Sequence, residues 1–87
     1  MINRVAGVVE AEIDGERVLL TPKTLAYFAL NGVGAQVWDL IGVQGATEES
    51  LVTDLLAEFD VDEATCRGGV TEFLSAAAEV GVLEGGD

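Results

Sequence analysis

The first third of the chain alternates hydrophobic and polar positions in the manner of β-strands. Residues 8–13 carry acidic side chains at alternate positions in their second half, which is typical of a half-exposed strand. Asp14-Gly15 is a strong signal for a hairpin turn, and residues 17–21 return as a second strand. Residues 25–30 are apolar and aromatic, which suits a third strand on a half-buried surface. We therefore expect a meander of antiparallel strands.

After the third strand, the apolar positions recur at helical spacing. Asn31 is able to accept hydrogen bonds from the first amides of a helix, and the apolar spacing extends this helix to Ile41. The small residue Gly34 favours close approach of the first turn to another backbone. Thr47 is the expected N-cap of a second helix, whose apolar stripe ends at Phe59. The pattern thus predicts two helices directly after the meander.

A third helix is predicted over residues 63–80. Asp62 is its expected N-cap, and Gly81 ends it as a left-handed cap. A short strand is expected at residues 82–83, and residues 84–87 are expected to form a frayed tail. The predicted fold class is α+β: a three-stranded antiparallel sheet followed by three helices, with the last two helices arranged as a helix-turn-helix.

Length and composition indicate one small domain over residues 1–87. The hydrophobic fraction of 49% and the mean hydropathy of +0.38 favour a globular chain over a disordered one. No apolar run reaches the roughly 18 residues that a membrane span requires. The N-terminus also lacks the basic and apolar regions of a secretory signal. We therefore expect a cytoplasmic protein.

Charge is distributed unevenly along this chain of net charge −12. Up to Trp38 there are four acidic and three basic residues, whereas from Asp39 onward there are twelve acidic residues and one basic residue, Arg67. DNA-binding proteins neutralise phosphates with Lys and Arg, so the helical half would repel nucleic acid. Acidity of this kind maintains solubility, or else forms a surface for a basic partner.

The residue types that support catalysis or metal binding are scarce. The chain has no histidine and a single cysteine, Cys66, which excludes Cys-His and Ser-His nucleophile pairs and zinc-finger spacings. The sequence contains neither a Walker loop nor a complete dinucleotide-binding fingerprint, and its acids do not follow the spacing of a calcium loop. We expect no catalytic residues, metal or cofactor, and no enzymatic activity.

Residues 27–38 carry a resemblance to a known family. An aromatic residue, Leu30-Asn31, a small-residue turn and a helix bearing Trp38 resemble the PqqD-like proteins, also called RiPP recognition elements. These are small winged-helix-like domains that bind the leader of a ribosomally made precursor peptide. The resemblance covers most of the chain, because the strand before the motif and the two helices after it also match in order.

The resemblance implies a peptide-binding groove between the edge of the third strand and the third helix, where the leader adds a strand to the sheet. The implied residues on the strand are Leu25, Ala26, Tyr27, Phe28, Ala29 and Leu30, and those on the helix are Arg67, Val70, Thr71, Leu74 and Ala78. Two of the helix residues, Val70 and Leu74, fit the core equally well. Arg67 fits either an exposed ion pair with Glu63 or Glu72, or a contact to an acidic leader side chain.

Strand alternation supports the groove independently of the resemblance. Phe28 and Leu30 share the face that enters the core, so Leu25, Tyr27 and Ala29 point the other way. An apolar outward face beside an unpaired edge promotes aggregation unless a partner covers it.

The favoured function is therefore a non-catalytic protein that presents a leader peptide to a modifying enzyme or leader peptidase. The lasso peptide type is favoured over the PQQ-synthesis type. Two alternatives remain at this stage. One is a small acidic carrier protein, although Gly68-Gly69-Val70-Thr71 places threonine where a carrier has serine. The other is a winged-helix regulator, which the charge disfavours.

Overall fold

Strands and helices follow one another in the order that the sequence predicts, with one additional strand at the start. The computed structural model describes residues 1–21, 26–30 and 32–85. The elements in this part of the chain are β1 (Ile2–Arg4), β2 (Val9–Ile13), β3 (Glu16–Leu20), β4 (Tyr27–Leu30), α1 (Gly32–Ile41), α2 (Glu48–Glu58), α3 (Glu63–Val80) and β5 (Leu83–Gly85). The predicted α+β class is confirmed.

The meander consists of β2, β3 and β4, in that order and antiparallel. Asp14 and Gly15 both adopt positive φ angles, of 53° and 82°, which is the geometry of a type I′ hairpin turn and matches the twist of the strands. The third strand is shorter than predicted. Ala26 precedes it and accepts a hydrogen bond from the Thr21 amide at 3.0 Å, and Leu25 lies outside the described residues.

A second sheet, which the sequence pattern does not predict, joins the two ends of the described chain. β1 pairs antiparallel with β5, so that Ile2 lies opposite Gly85 and Asn3 opposite Glu84. The prediction of a frayed tail is therefore wrong for Glu84 and Gly85, which belong to β5. A three-residue strand is too short to show a period, and its partner lies at the far end of the sequence, so local pattern carried no signal for this pairing.

The helix boundaries follow from the predicted caps. The Thr47 hydroxyl accepts from the Ser50 amide at 3.1 Å, while the Ser50 hydroxyl accepts from the Thr47 amide at 3.2 Å, which forms a reciprocal capping box. Asp62 accepts from the Thr65 amide at 3.1 Å, and Gly81 ends α3 with a φ of 100°. These three predicted caps are confirmed, whereas Asn31 lies outside the described residues.

The core lies between one face of the meander and the three helices. Its fully buried side chains include Leu19, Val37, Trp38, Ile41, Leu51, Val52, Val70 and Val82. The guanidinium of Arg4 lies 4.2 Å from the centroid of the Trp38 ring and donates a 2.7 Å hydrogen bond to the Trp38 carbonyl. This places a cation at the C-terminal turn of α1, where the helix dipole favours positive charge. Arg4 thereby ties β1 to the core.

Candidate peptide-binding groove

The free edge of β4 is the first feature of the candidate site. In the described residues, β4 pairs only with β3, and β2 forms the opposite edge of the meander. The β2 edge carries Glu10 and Glu12, which discourage pairing with another strand. β4 consists of Tyr27-Phe28-Ala29-Leu30 and carries no charge. The two edges of one sheet therefore differ, and only the β4 edge lacks this protection.

The register of the sheet identifies which backbone groups of β4 are free. The Thr21 amide donates to the Ala26 carbonyl, and hydrogen-bonded pairs alternate along an antiparallel ladder. Phe28 and Leu30 consequently direct their amides and carbonyls toward β3. Tyr27 and Ala29 direct theirs toward the free edge, where they are available to an incoming strand.

The side chains of β4 divide between the two faces as the sequence predicts. Leu30 is buried, and Phe28 is half-buried against the core, with its ring centroid 5.6 Å from that of Phe73 on α3. Tyr27 points to the opposite face and is 69% exposed, and Ala29 is exposed beside it. The inward position of Phe28 and Leu30 is confirmed.

On the side of α3 that carries Phe73, small residues leave an open depression next to the N-terminus of α1. Its volume is about 340 Å³, and its lining consists of Gly32, Val33, Gly34, Gly69, Glu72, Phe73 and Ala76. Gly32 follows β4 by two positions, and Phe73 contacts Phe28, so this depression lies next to the end of β4. We call the free edge of β4 together with this surface of α3 the β4–α3 groove.

The α3 residues expected from the sequence lie on the other flank of the helix, toward α2 and β5. The Thr71 hydroxyl donates to Glu48 at 2.6 Å, and Arg67 donates to Glu49 at 2.9 Å. Leu74 and Ala78 line a separate depression, of about 280 Å³, together with residues of β1 and β5. The structure therefore places Arg67, Thr71, Leu74 and Ala78 on the flank of α3 away from Phe28, and does not bring them together with β4 as expected.

Val70 requires a separate correction. Its side chain is 0% exposed and belongs to the hydrophobic core, so it is not presented to either flank of α3. From the sequence, Val70 fits either the groove or the core, and the structure shows that it belongs to the core.

Of the α3 residues that face the groove, the sequence indicated Gly69 and Ala76 only as small residues that leave room for a peptide. It gave Glu72 no role in binding and placed Phe73 only in the core. Gly69, Phe73 and Ala76 are spaced by four and three positions, so they share one stripe of the helix. A stripe of small residues around an aromatic residue was a usable signal. The sequence alone did not indicate which flank of α3 packs beside β4.

Arg17 and Arg67, which are both partly exposed, each form ion pairs with two carboxylates. Hydrogen bonds from Arg17 to Asp39 and Glu10 raise the pKa of the Arg17 guanidinium. The hydrogen bond between Arg17 and Asp39 also lowers the pKa of Asp39. Hydrogen bonds to Glu49 and Glu63 likewise raise the pKa of Arg67. The predicted pairing of Arg67 with Glu63 is confirmed, at 3.0 Å, and Glu49 takes the place that Glu72 had in the prediction.

The outer face of the meander forms a second surface of interest. Directly paired residues share a face, which places Val9, Ala11, Ile13, Val18, Leu20, Tyr27 and Ala29 together on the side away from the helices. Ile13 is 55% exposed, yet Val18 at the centre of this face is buried without belonging to the main core. We call this surface the outer sheet face. Among the paired residues of β2, β3 and β4 that lie on this face, only Glu16 is charged, and it lies opposite Ile13 at the hairpin end.

The described residues offer no alternative centre for metal chemistry. Within residues 1–21, 26–30 and 32–85, no group of three or more His, Cys, Asp or Glu side chains is arranged to hold a metal ion. Among the helices of the same ranges, none combines the length and apolar character that a membrane crossing requires.

Comparisons with known proteins identify the family and the fold. The sequence profile of the family described as "Coenzyme PQQ synthesis protein D (PqqD)" matches residues 16–83. Curated protein sequences gave no match. The solved structure "TbiB1 in Complex with the TbiA(beta) Leader Peptide" is 38% identical, covers 98% of each chain and superposes with a TM-score of 0.83.

A second solved structure, "Lasso peptide synthetase B1 complexed with the leader peptide", is 18% identical. It covers 97% of this chain and 98% of its own, with a TM-score of 0.79, and so shares the fold. The profile match over most of the chain and the 38% identity to TbiB1 establish that the protein belongs to the PqqD family.

Proposed function

We propose that the protein binds the leader of a ribosomally synthesised precursor peptide as an added strand on β4, and presents it to a modifying enzyme or leader peptidase. The observation that carries this proposal is the uncharged edge of β4, where the amides and carbonyls of Tyr27 and Ala29 face outward. Strand addition uses such groups for affinity and alternate side chains for specificity. The 38% identity to TbiB1, whose structure contains a leader peptide, supports the same role here.

A peptide bound along β4 would contact two different surfaces with its alternating side chains. Side chains of an added strand alternate between the two faces of the sheet. One set points toward Phe28, Phe73 and Ala76 in the β4–α3 groove. The other set extends the outer sheet face beyond Ala29. Ala26, Tyr27, Phe28, Ala29 and Leu30 therefore remain proposed binding residues, joined by Gly69, Glu72, Phe73 and Ala76 in place of the opposite flank of α3.

The outer sheet face is the surface that we propose for the enzyme. The chain carries a net charge of −12, whereas this face presents Val9, Ile13 and Tyr27 to solvent, and among its described residues only Glu16 is charged. A strand added to β4 would continue the face, so an enzyme seated on it would also contact the leader. An apolar sheet or loop surface on the enzyme fits this role, because apolar patches of such extent mark interaction sites.

The pathway assignment follows the names of the similar structures. One of the two is a lasso peptide synthetase B1, which favours a lasso-type pathway over PQQ synthesis. The protein acts in this proposal without catalysis and without a cofactor. We propose the cytoplasm as its location, because ribosomal precursor peptides are made there.

The carrier alternative receives no support from Thr71. A carrier needs an exposed hydroxyl at the start of a helix to hold its prosthetic arm. Thr71 lies in the middle of α3, and its hydroxyl donates to Glu48. The regulator alternative is disfavoured by the acidic balance of the helical half, which repels phosphates.

Amide hydrogen exchange measured by NMR tests the proposal directly. The probes are the TbiA(beta) leader peptide and the leader of any precursor peptide that the genes adjacent to this one are found to encode. In the free protein, we expect the Tyr27 and Ala29 amides to exchange much faster than the Phe28 amide, which the ladder to β3 protects. A bound leader should protect Tyr27 and Ala29. If both leaders leave these two amides unprotected, strand addition at β4 is wrong.

A further inference from the structure

Among the described residues that line the groove depression beside Phe73, Glu72 is the only one with a charged side chain. The others are glycine, alanine, valine and phenylalanine. Glu72 is exposed and lies at the rim, whereas Ala76, one turn further along the same stripe of α3, is half-buried. A single carboxylate therefore borders a groove whose remaining walls carry no charge.

The arginines of the described chain all contact other groups. Arg4 lies over the Trp38 ring, and Arg17 and Arg67 each form ion pairs with two other carboxylates. Within residues 1–21, 26–30 and 32–85, Glu72 has no ion-pair partner. The charge in the groove is thus one that this part of the chain leaves without a counterion.

A bound leader would change the surroundings of this carboxylate. Side chains of the added strand that lie opposite Phe28 and Leu30 point toward α3, so they cover the groove beside Glu72. Covering a carboxylate removes water from it, which costs free energy unless the ligand supplies an opposite charge or a hydrogen-bond donor. A lysine or arginine of the leader would meet this requirement, whereas an acidic side chain at the same position would be repelled.

We propose that Glu72 forms an ion pair with a lysine or arginine of the leader peptide, at a position whose side chain points toward α3. This inference rests on the proposed function and adds a charge rule for the substrate. The rule is opposite in sign to the contact considered from the sequence, in which Arg67 binds an acidic leader side chain. Arg67 already pairs with Glu49 and Glu63, so the charge available to the leader is negative. The net charge of −12 on the whole chain also attracts a basic peptide segment.

Binding titrations arranged as a double-mutant cycle test the ion pair. The probes are the fluorescein-labelled TbiA(beta) leader and the leader of any precursor peptide that the adjacent genes are found to encode, each also prepared with single lysines and arginines changed to glutamine. Glu72→Gln removes the charge and keeps the length of the side chain. Glu84→Gln is the matched control, because Glu84 is an exposed residue of β5, on the other flank of α3. Circular dichroism checks that both variants fold.

We expect Glu72→Gln to lose about five- to tenfold in leader affinity at low salt, and Glu84→Gln to lose less than about twofold. Changing one particular lysine or arginine of the leader to glutamine should cost the native protein a similar factor. The same change should have little further effect in Glu72→Gln, because the ion pair is already broken. The loss in Glu72→Gln should also shrink at about 1 M salt, where the Debye length is about 3 Å.

Three results would overturn the ion pair while leaving strand addition intact. The first is equal leader affinity of Glu72→Gln and Glu84→Gln, and the second is additive losses in the cycle. The third is a bound leader in which every lysine and arginine can be changed to glutamine without loss of affinity. Failure of both leaders to bind the native protein would instead overturn the proposed function, and the assignment of Glu72 with it.

Discussion

Gly34 lies directly against the ring of Phe73. A Cβ atom at position 34 would be 2.8 Å from Phe73 Cδ1, closer than real carbon contacts allow. The same ring packs on Phe28, with centroids 5.6 Å apart. One aromatic side chain thus joins α1, α3 and β4 at the floor of the groove. The close approach expected from the small residues of α1 is present, but it is to a side chain and not to a backbone.

Gly34→Ala should therefore destabilise the protein and weaken leader binding together. The methyl group overpacks the site, which costs about 1–3 kcal/mol, while the gain in helix propensity returns up to about 1 kcal/mol. Gly68→Ala is the control, because a Cβ at position 68 meets nothing within 4 Å. It should stabilise α3 slightly. Chemical denaturation with a leader titration checks both, and equal stabilities for the two variants would contradict the packing account.

Ala29→Pro should weaken leader binding by about five- to thirtyfold, because it removes an outward amide and so at least one hydrogen bond to the leader. The substitution spares the ladder to β3, since the Ala29 amide points away from it. Glu12→Pro is the matched control on the opposite edge, where the register also places the residue 12 amide outward. Isothermal titration should find Glu12→Pro close to the native affinity. Comparable losses in both variants would indicate general damage to the sheet.

Two glutamate substitutions decide which flank of α3 meets the leader. Ala76→Glu places a charge in the β4–α3 groove and should reduce affinity by about 2–5 kcal/mol. Thr71→Glu places the same charge beside Glu48 on the opposite flank and should leave leader affinity unchanged. Fluorescence polarisation with circular dichroism as a folding check distinguishes them. Loss of affinity in Thr71→Glu alone would restore the flank expected from the sequence.

Ile13→Asp should separate leader binding from enzyme docking. Ile13 lies on the outer sheet face, two strands away from the free edge of β4, and its exposure makes the change tolerable for the fold. We expect native affinity for the leader but at least about tenfold slower processing by the partner enzyme, because a charge is desolvated at the interface. Val43→Asp, at an exposed position in a loop, serves as the control. Native processing by Ile13→Asp would exclude this face as the docking surface.

Acid should destabilise the protein through two carboxylates. A hydrogen bond from Arg17 lowers the pKa of Asp39, and hydrogen bonds from the Thr65 hydroxyl and amide lower the pKa of Asp62, both from an ordinary value of 3.8. Because the folded pKa values are depressed, this stability is present above pH 3.8 and is lost as pH falls through the folded values. Thermal melts between neutral and strongly acidic pH should show the loss below that point. Asp62→Asn keeps a cap acceptor that does not titrate, so its melting temperature should fall less steeply.

Local pattern predicts those parts of the fold whose determinants are adjacent in sequence. The Asp14-Gly15 turn and the caps at Thr47, Asp62 and Gly81 each depend on a few neighbouring residues, and all four are present. Local pattern did not predict β1, because its partner β5 lies at the other end of the chain. Local pattern also did not predict which face of α3 lies beside β4, because both flanks of this helix carry small and apolar side chains. Only tertiary packing chooses between them.

The contact between Arg4 and Trp38 makes the fluorescence of Trp38 sensitive to the position of β1. Trp38 is the only tryptophan in the sequence, and its indole is almost fully buried, so its emission arises from one defined environment. The cation that covers its ring belongs to β1, which is held in turn by β5. Release of β1 would therefore change the spectrum even while the helices remain folded. Intrinsic fluorescence and helical circular dichroism should consequently give different transition curves if the β1–β5 sheet detaches before the core unfolds.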